Sequence, residues 1–171
     1  MPFLETTFEH DPRPSAATQP MAEDLSLLCR VGALHFALRA ADVSETMRPL
    51  PIQPLGAPPP FVVGLSVIRG VPVPIVDLGA LLGVRGEAPP GRFVVIRAGA
   101  RVVALAVAEV FGVRALQKVA LAALPPLLRD GAPDALVGLS AVDGELLVVL
   151  QAARLFPESG WNALRSSQGV G

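Results

Sequence analysis

The chain has 171 residues, of which 51% are hydrophobic, and a formal net charge of −1. A single lysine and scattered arginines argue against nucleic-acid binding, which needs clustered positive charge to neutralise phosphates. Charged residues interrupt the apolar runs well before the roughly 18 residues of a membrane span, and no basic segment leads into an apolar one as in an export signal. Composition therefore predicts a cytoplasmic protein with excess apolar surface and no direct membrane insertion.

The N-terminal residues 1–24 differ in composition from the rest of the chain. They mix proline, threonine, serine and acidic residues without periodicity, which predicts a disordered arm. The chain then continues as short runs of Val, Leu, Ile and Phe separated by glycine. Runs such as 93–96 and 146–149 have the length and the β-branched content of strands. The sequence therefore predicts an all-β domain over residues 25–156.

The first apolar stretch contains the only cysteine, Cys29, and one of the two histidines, His35. A Gly-Ala pair at 32–33 separates two apolar runs and predicts a hairpin, and the same pair at 99–100 predicts another. We interpret His35 as a half-buried packing residue. One cysteine and two histidines supply neither a disulfide, nor a zinc site, nor a Cys–His dyad. No metal or cofactor is predicted.

A second kind of turn occurs in two copies. Five residues recur identically at a spacing of 74, namely Val63, Gly64, Leu65, Ser66 and Gly70 at Val137, Gly138, Leu139, Ser140 and Gly144. Asp143-Gly144 is a strong hairpin signal, because glycine tolerates the positive φ of a type I′ turn. By position, Arg69-Gly70 forms the equivalent tip. The repeat indicates duplication of a small barrel module.

The segments that follow the two tips predict short helical turns. Asp77 precedes the apolar sequence LGALLG and is predicted to cap a helix, its carboxylate accepting from free N–H groups. The glycines and prolines of 83–91 predict a connection rather than a phosphate loop, since no Lys-Ser/Thr follows. We expect barrels at approximately 25–84 and 91–156, with strand exchange left open, and a tail at 157–171 with one helical turn.

The two Gly-Leu-Ser sequences raise the alternative of a small β-barrel serine hydrolase. A nucleophile elbow reads Gly-x-Ser-x-Gly, but Ile68 follows Ser66 at the required glycine position, and Val142 follows Ser140 in the same way. No pair of carboxylates stands out either, because the 15 acidic residues are spread singly along the chain. The hydrolase is therefore the weaker hypothesis, and no catalytic residue is predicted.

Residues 59–83, PPFVVGLSVIRGVPVPIVDLGALLG, resemble the signature of the CheW family, adaptors that couple chemoreceptors to the chemotaxis histidine kinase. The family shows a Pro-rich lead-in, a hairpin ending in Arg-Gly, and Pro-Val-Ile-Asp-Leu. The matching residues here are Gly64, Arg69, Gly70, Pro74, Asp77 and Leu78. The segment 41–46, ADVSET, is similar to the family's Val-x-Glu and supplies Val43 and Glu45. The resemblance covers about residues 25–156.

This resemblance implies two SH3-like five-stranded β-barrels packed around a hydrophobic groove, with short helical turns and no catalysis. It implies two partners, the cytoplasmic tip of a methyl-accepting chemoreceptor and the regulatory domain of the kinase, and recruitment to receptor arrays. The residues expected to contact partners are Val43, Glu45, Gly64, Arg69 and Gly70. Turn and cap roles are expected for Asp77, Asp143 and Gly144. We predict an ion pair between Glu45 and Arg69 at the edge of the first barrel.

The sequence departs from the family pattern at three polar positions. Val67 stands where the family has asparagine, and Ala108 and Gln151 stand where it has aspartate. Pro72 lacks a ladder N–H and suits an edge strand. These changes exchange polar groups for packing ones, so the fold is expected to persist while partner choice changes. An accessory adaptor that binds only one of the two partners is the alternative within the family.

Overall fold

The computed structural model describes residues 25–84, 88–120, 123, 133–156, 158–159 and 162. The predicted N-terminal arm, most of the predicted tail and residues 85–87 lie outside the described residues. The strands are β1 (Leu25–Val31), β2 (Leu34–Arg39), β3 (Val43–Met47), β4 (Val62–Ile68), β5 (Val71–Asp77), β6 (Arg92–Ala98), β7 (Arg101–Val107), β8 (Glu109–Ala115), β9 (Val119–Ala120), β10 (Leu136–Val142) and β11 (Glu145–Leu150). Helix α1 (Leu78–Leu82) and 3₁₀ turns at Ala40–Asp42 and Ala152–Arg154 accompany them, and the described tail residues 158, 159 and 162 are also helical.

The strands form two sheets, which confirms the all-β prediction. The six-stranded sheet has the order β8-β1-β2-β11-β10-β9, and the five-stranded sheet has the order β3-β6-β7-β5-β4. The first sheet thus has one strand more than expected, the two-residue β9. Each sheet is antiparallel except for one parallel pair, β2 with β11 and β5 with β7.

The two hairpins that open the halves of the chain have changed places. The β1–β2 hairpin joins strands of the second half, and the β6–β7 hairpin joins strands of the first half. The five-stranded sheet is therefore built from the continuous segment 43–107, inserted between β2 and β8 of the other sheet. The predicted boundary at residues 84–91 lies in sequence between β5 and β6, which belong to the same five-stranded sheet. It therefore does not separate the two sheets.

The duplicated turns have the predicted geometry. Arg69 and Gly70 have φ values of 52° and 79°, and Asp143 and Gly144 have φ values of 52° and 82°. Positive φ at both central residues defines a type I′ turn, whose twist matches that of the flanking strands. Both predicted tips are confirmed.

The two serines of the repeat are structural. Ser66 Oγ donates to the carbonyl oxygen of Pro51 at 2.7 Å, and Ser140 Oγ donates to that of Gln117 at 2.7 Å. Both serines are buried. Since each hydroxyl satisfies a backbone carbonyl on a neighbouring segment, the sequence repeat reflects a repeated packing contact and gives the hydrolase hypothesis no support.

The main core lies between the two sheets and takes residues from both. Its largest fully buried members are Phe36, Leu38, Val76, Leu78, Val94, Ile96, Val103, Leu105 and Val107. A second, smaller core belongs to the five-stranded sheet alone and is centred on Phe93 and Ile75. Helix α1 covers one end of the main core, and Asp77 caps it as predicted, accepting from Ala80 N–H at 3.1 Å.

Strand β5 is internal, so the edge-strand interpretation of Pro72 needs correction. Pro72 pairs with Val67 on β4, but the pairing of β5 with β7 begins only at Ile75. Pro72 therefore stands where β5 has a neighbour on one side only, which is why proline is tolerated in an internal strand.

Candidate partner-binding site

The predicted ion pair is present at the β4–β5 tip, which consists of Arg69 and Gly70. Arg69 Nε donates to Glu45 Oε1 at 2.8 Å, and Arg69 Nη2 donates to Glu45 Oε2 at 2.9 Å. Two parallel bonds between a guanidinium and a carboxylate fix the relative orientation of both groups as well as their distance. The Arg69 side chain is 78% exposed, whereas that of Glu45 is 25% exposed.

This ion pair connects opposite edges of the five-stranded sheet. Glu45 lies on the edge strand β3, and Arg69 lies in the turn that leads out of β4, the other edge strand. The contact shows that the sheet is rolled into a barrel-like form. The hydrogen bond from Arg69 lowers the pKa of the Glu45 carboxyl below its ordinary value, and the pKa of Arg69 is raised in turn.

Exposed valines surround the charged tip. Val67 on β4 is 62% exposed and Val71 on β5 is 58% exposed. The tip thus combines a fixed ion pair with exposed apolar side chains, a composition typical of interaction surfaces. Val67 is the position where the resemblance expects asparagine, so this departure lies at the exposed tip itself.

Two of the predicted contact residues do not form part of this surface. Gly64 is buried, and a Cβ there would collide with the backbone carbonyl of Gln53 and the side chain of Ile52. Val43 is half-buried and packs against the main core. The structure therefore brings Glu45, Arg69 and Gly70 together at the tip and gives Val43 and Gly64 packing positions.

A second ion pair was not predicted and repeats the first with its charges reversed. In the six-stranded sheet, Arg114 on the edge strand β8 donates to Asp143 at the β10–β11 tip, with Nη1 and Oδ2 3.1 Å apart. Asp143 occupies the repeat position of Arg69. The reversal from arginine to aspartate at this repeat position is the one sequence signal that could have predicted a basic partner for Asp143.

A cleft of about 900 Å³ lies at the junction of the sheets, beside α1. Both sheets line it, the six-stranded one through Arg30 and Gly32, and the five-stranded one through Val63 and Val107. Asp77 also borders the cleft, so the helix cap and a concave apolar surface are adjacent. Both sheets line this cleft, but its identity with the hydrophobic groove expected between the barrels stays a prediction.

A family profile described as the CheW-like domain matches residues 26–159. The chain belongs to the CheW-like family. It is 29% identical over 130 residues to the chemotaxis protein CheW of Rhizobium meliloti (strain 1021), covering 75% of this chain and 84% of the relative. It is 32% identical over 136 residues to the protein FrzA of Myxococcus xanthus, covering 78% of this chain and 84% of the relative.

The CheW-like fold is also found in a solved structure. The scaffolding protein TtCheW of Thermoanaerobacter tengcongensis superposes with a TM-score of 0.67 at 19% identity, covering 81% of this chain and 95% of that one. This similarity confirms the fold class. Within the described residues, no helix has the length and apolar character needed to cross a membrane, and no three His, Cys, Asp or Glu side chains cluster as metal ligands.

Proposed function

We propose that this chain is a non-catalytic scaffold that couples the cytoplasmic tip of a chemoreceptor to the regulatory domain of a chemotaxis-type histidine kinase. Membership of the CheW-like family, whose relatives here carry the names of chemotaxis and scaffolding proteins, supports the adaptor class. Such a protein works in the cytoplasm and is recruited to receptor arrays through its partners. It requires no cofactor.

The observation that carries the proposal is the tip built from Glu45, Arg69 and Gly70. A bidentate ion pair holds the turn in one orientation, and Val67 and Val71 supply apolar area beside it. A partner that covers this tip would desolvate the ion pair, so that loss of one member would leave an unpaired charge in the interface. An exposed pair adds little to folding, which separates the binding role from stability.

The departure at Val67 favours a second candidate function, an accessory adaptor that binds only one partner. The side chain is 62% exposed at the tip, and exchange of an amide for an apolar group there removes hydrogen bonds from the surface. A partner that depends on the amide would be lost, whereas a partner that contacts the ion pair would remain.

Separate binding measurements distinguish the two candidates. A receptor cytoplasmic hairpin and an isolated kinase regulatory domain are titrated into the chain by calorimetry. The coupling scaffold binds both, whereas the accessory adaptor binds one. Arg69→Ala is expected to weaken binding of at least one partner by about tenfold or more, with a thermal transition close to that of the wild type.

The chain offers a matched control in its other ion pair. Arg114→Ala removes an arginine–carboxylate contact of the same kind from the other sheet and is expected to leave both affinities unchanged. The exchange Glu45→Arg with Arg69→Glu should recover part of the lost affinity if each group mainly orients the other. Wild-type affinity of Arg69→Ala for both partners would remove the tip from the site.

A further inference from the structure

The connection between β3 and β4 contains a proline motif. Residues 48–54 read Arg-Pro-Leu-Pro-Ile-Gln-Pro, which is Arg-x-x-Pro-x-x-Pro. The segment has no helix and only one bridge residue, Gln53. Proline-rich stretches of this spacing favour the polyproline II conformation, a left-handed helix with three residues per turn.

Burial along this connection follows a period of three. From Ile52 onward every third residue is half-buried, namely Ile52, Leu55 and Pro58, while the other residues of 48–58 are exposed, Pro49 included. Ile52 packs against the small core around Phe93, and Leu55 packs against the main core. A helix with three residues per turn has three ridges, and the pattern places one of them on the protein and leaves the others in solvent.

Hydrogen bonds hold the segment in place. Ser66 Oγ donates to the Pro51 carbonyl at 2.7 Å. Gln53 N–H donates to the Leu65 carbonyl at 2.7 Å, and Leu65 N–H donates to the Gln53 carbonyl at 2.9 Å. The exposed prolines are therefore presented on an ordered backbone, which lowers the entropy lost when a partner binds them.

We propose that residues 48–54 are a preformed polyproline II ligand for an aromatic-lined groove on another protein, of the type found in SH3 domains. Such a groove receives two ridges of the helix and leaves the third outside. The ridge that contains Ile52 is the one already packed on this chain, so the two remaining ridges are free for the groove. The proposal is independent of receptor and kinase binding.

Arg48, the first residue of the motif, sets the orientation in which the motif would lie in the groove. Its side chain is exposed, and within the described ranges its guanidinium forms no hydrogen bond or ion pair. At the end of the motif, a free guanidinium fits a carboxylate at the rim of the groove through charge-assisted hydrogen bonds. The partner groove is therefore aromatic at its floor and acidic at one end.

The test uses the full chain and, as probe, an isolated SH3 domain that selects Arg-x-x-Pro-x-x-Pro peptides. Titration into the ¹⁵N-labelled domain measures affinity from chemical-shift changes. The chain is expected to bind at least as tightly as the excised 48–54 peptide, because folding has already ordered the segment. Pro51→Ala, Pro54→Ala and Arg48→Glu are each expected to weaken binding by about tenfold or more.

Two control variants test whether the ridge assignment is correct. Pro49→Ala lies on the ridge of Ile52, and Arg97→Glu makes the same charge change on an exposed arginine of β6, so neither should alter affinity. Thermal melts verify that all variants fold. No shift with the full chain, or affinity unaffected by the combined change Pro51→Ala with Pro54→Ala, would mean that the segment only ties β3 to β4. Receptor and kinase binding, measured on the same variants, reports on the coupling function separately.

Discussion

The two sheets share one topology but differ in their interiors. Strand for strand the orders correspond, and even β9 has a counterpart in the five-stranded sheet, where Gln53 forms a single bridge to Leu65. At equivalent positions on the hairpins, however, Phe93 pairs with Met47 in one sheet, and Ser26 pairs with Arg114 in the other. Phe93 fills the small core, whereas Ser26 is buried and its Oγ has no partner among the described residues.

This difference indicates which features specify the fold. Both sheets keep the type I′ turns, the buried serine at the same point of the repeat and one parallel strand pair. They differ in core residues and in the sign of the charge at each tip. Turn geometry and backbone pairing thus define the module, while interior filling and tip chemistry have diverged.

Truncation of Phe93 should produce the largest effect. Phe93→Ala is expected to lower the free energy of unfolding by about 3–5 kcal/mol, because it empties the centre of the small core. Ser26→Ala, the matched change in the other sheet, should be neutral or slightly stabilising, because it removes a buried hydroxyl without a partner. Denaturant melts measure both. Equal losses at the two positions would contradict the proposed difference between the interiors.

The buried thiol should make the six-stranded sheet sensitive to alkali. Burial raises the pKa of Cys29 to about 12, whereas its ordinary value is 9.0. Above pH 9 the unfolded chain loses this proton and the folded chain keeps it, so stability falls by up to about 1.4 kcal/mol per pH unit. Below pH 9 the effect is absent. The chain has no tyrosine and one lysine, which leaves few other groups that titrate there.

Cys29→Val is the control for this prediction, since the equivalent residue on β6 is the fully buried Ile96. Its unfolding free energy should vary less between pH 9 and pH 10.5 than that of the wild type. A thiol reagent at pH 8 should label the wild type only after denaturation. Rapid labelling of the folded chain would show that the thiol is accessible.

The two tips should respond equally to a change of backbone preference. Gly70→Ala and Gly144→Ala should each cost about 1 kcal/mol, because both glycines have positive φ. A Cβ at either position would have no atom within 4 Å, so the cost reflects conformation rather than collision. Urea melts measure the losses. If the two losses of unfolding free energy clearly differ, the turns have the same shape but do not restrict their glycines equally.

The smallest expected effect is that of acid on the ion pair at the tip of the five-stranded sheet. Because the hydrogen bond from Arg69 lowers the pKa of Glu45 below 4.5, the folded carboxyl stays charged at a lower pH than the unfolded one. The contribution of the pair is present above pH 4.5 and is lost as pH falls through the folded value. Carboxyl NMR titration should show the pKa of Glu45 rising in Arg69→Ala and unchanged in Arg114→Ala. No rise in Arg69→Ala would contradict the assigned cause.

Local chemistry explains what the sequence could predict. The two tips depend on adjacent residues that tolerate positive φ, and the helix cap depends on Asp77 and the N–H groups three residues later. The ion pair between Glu45 and Arg69 also followed from a family motif. Each of these features is encoded within a short stretch of chain, or in two stretches with a known relation.

Long-range pairing explains what could not be predicted. The exchange of hairpins depends on which sheet edges meet, and nothing within either half specifies this. Arg114 could not be matched to Asp143 without knowledge of which strand forms the edge. Gly64 was assigned to a surface because the approach of Gln53, which buries it, is visible only in three dimensions.

In the chain, the strands of the five-stranded sheet lie between β2 and β8 of the six-stranded sheet, and this arrangement sets an order of events during synthesis. Every strand of the five-stranded sheet has been made once residue 107 leaves the ribosome. The β1–β2 hairpin is made first, but it must wait for β11, since His35 pairs with Leu147. Contacts so distant in sequence slow folding and leave apolar surface exposed meanwhile. The nascent chain therefore carries the bare inner face of its five-stranded sheet until almost all of the domain has emerged.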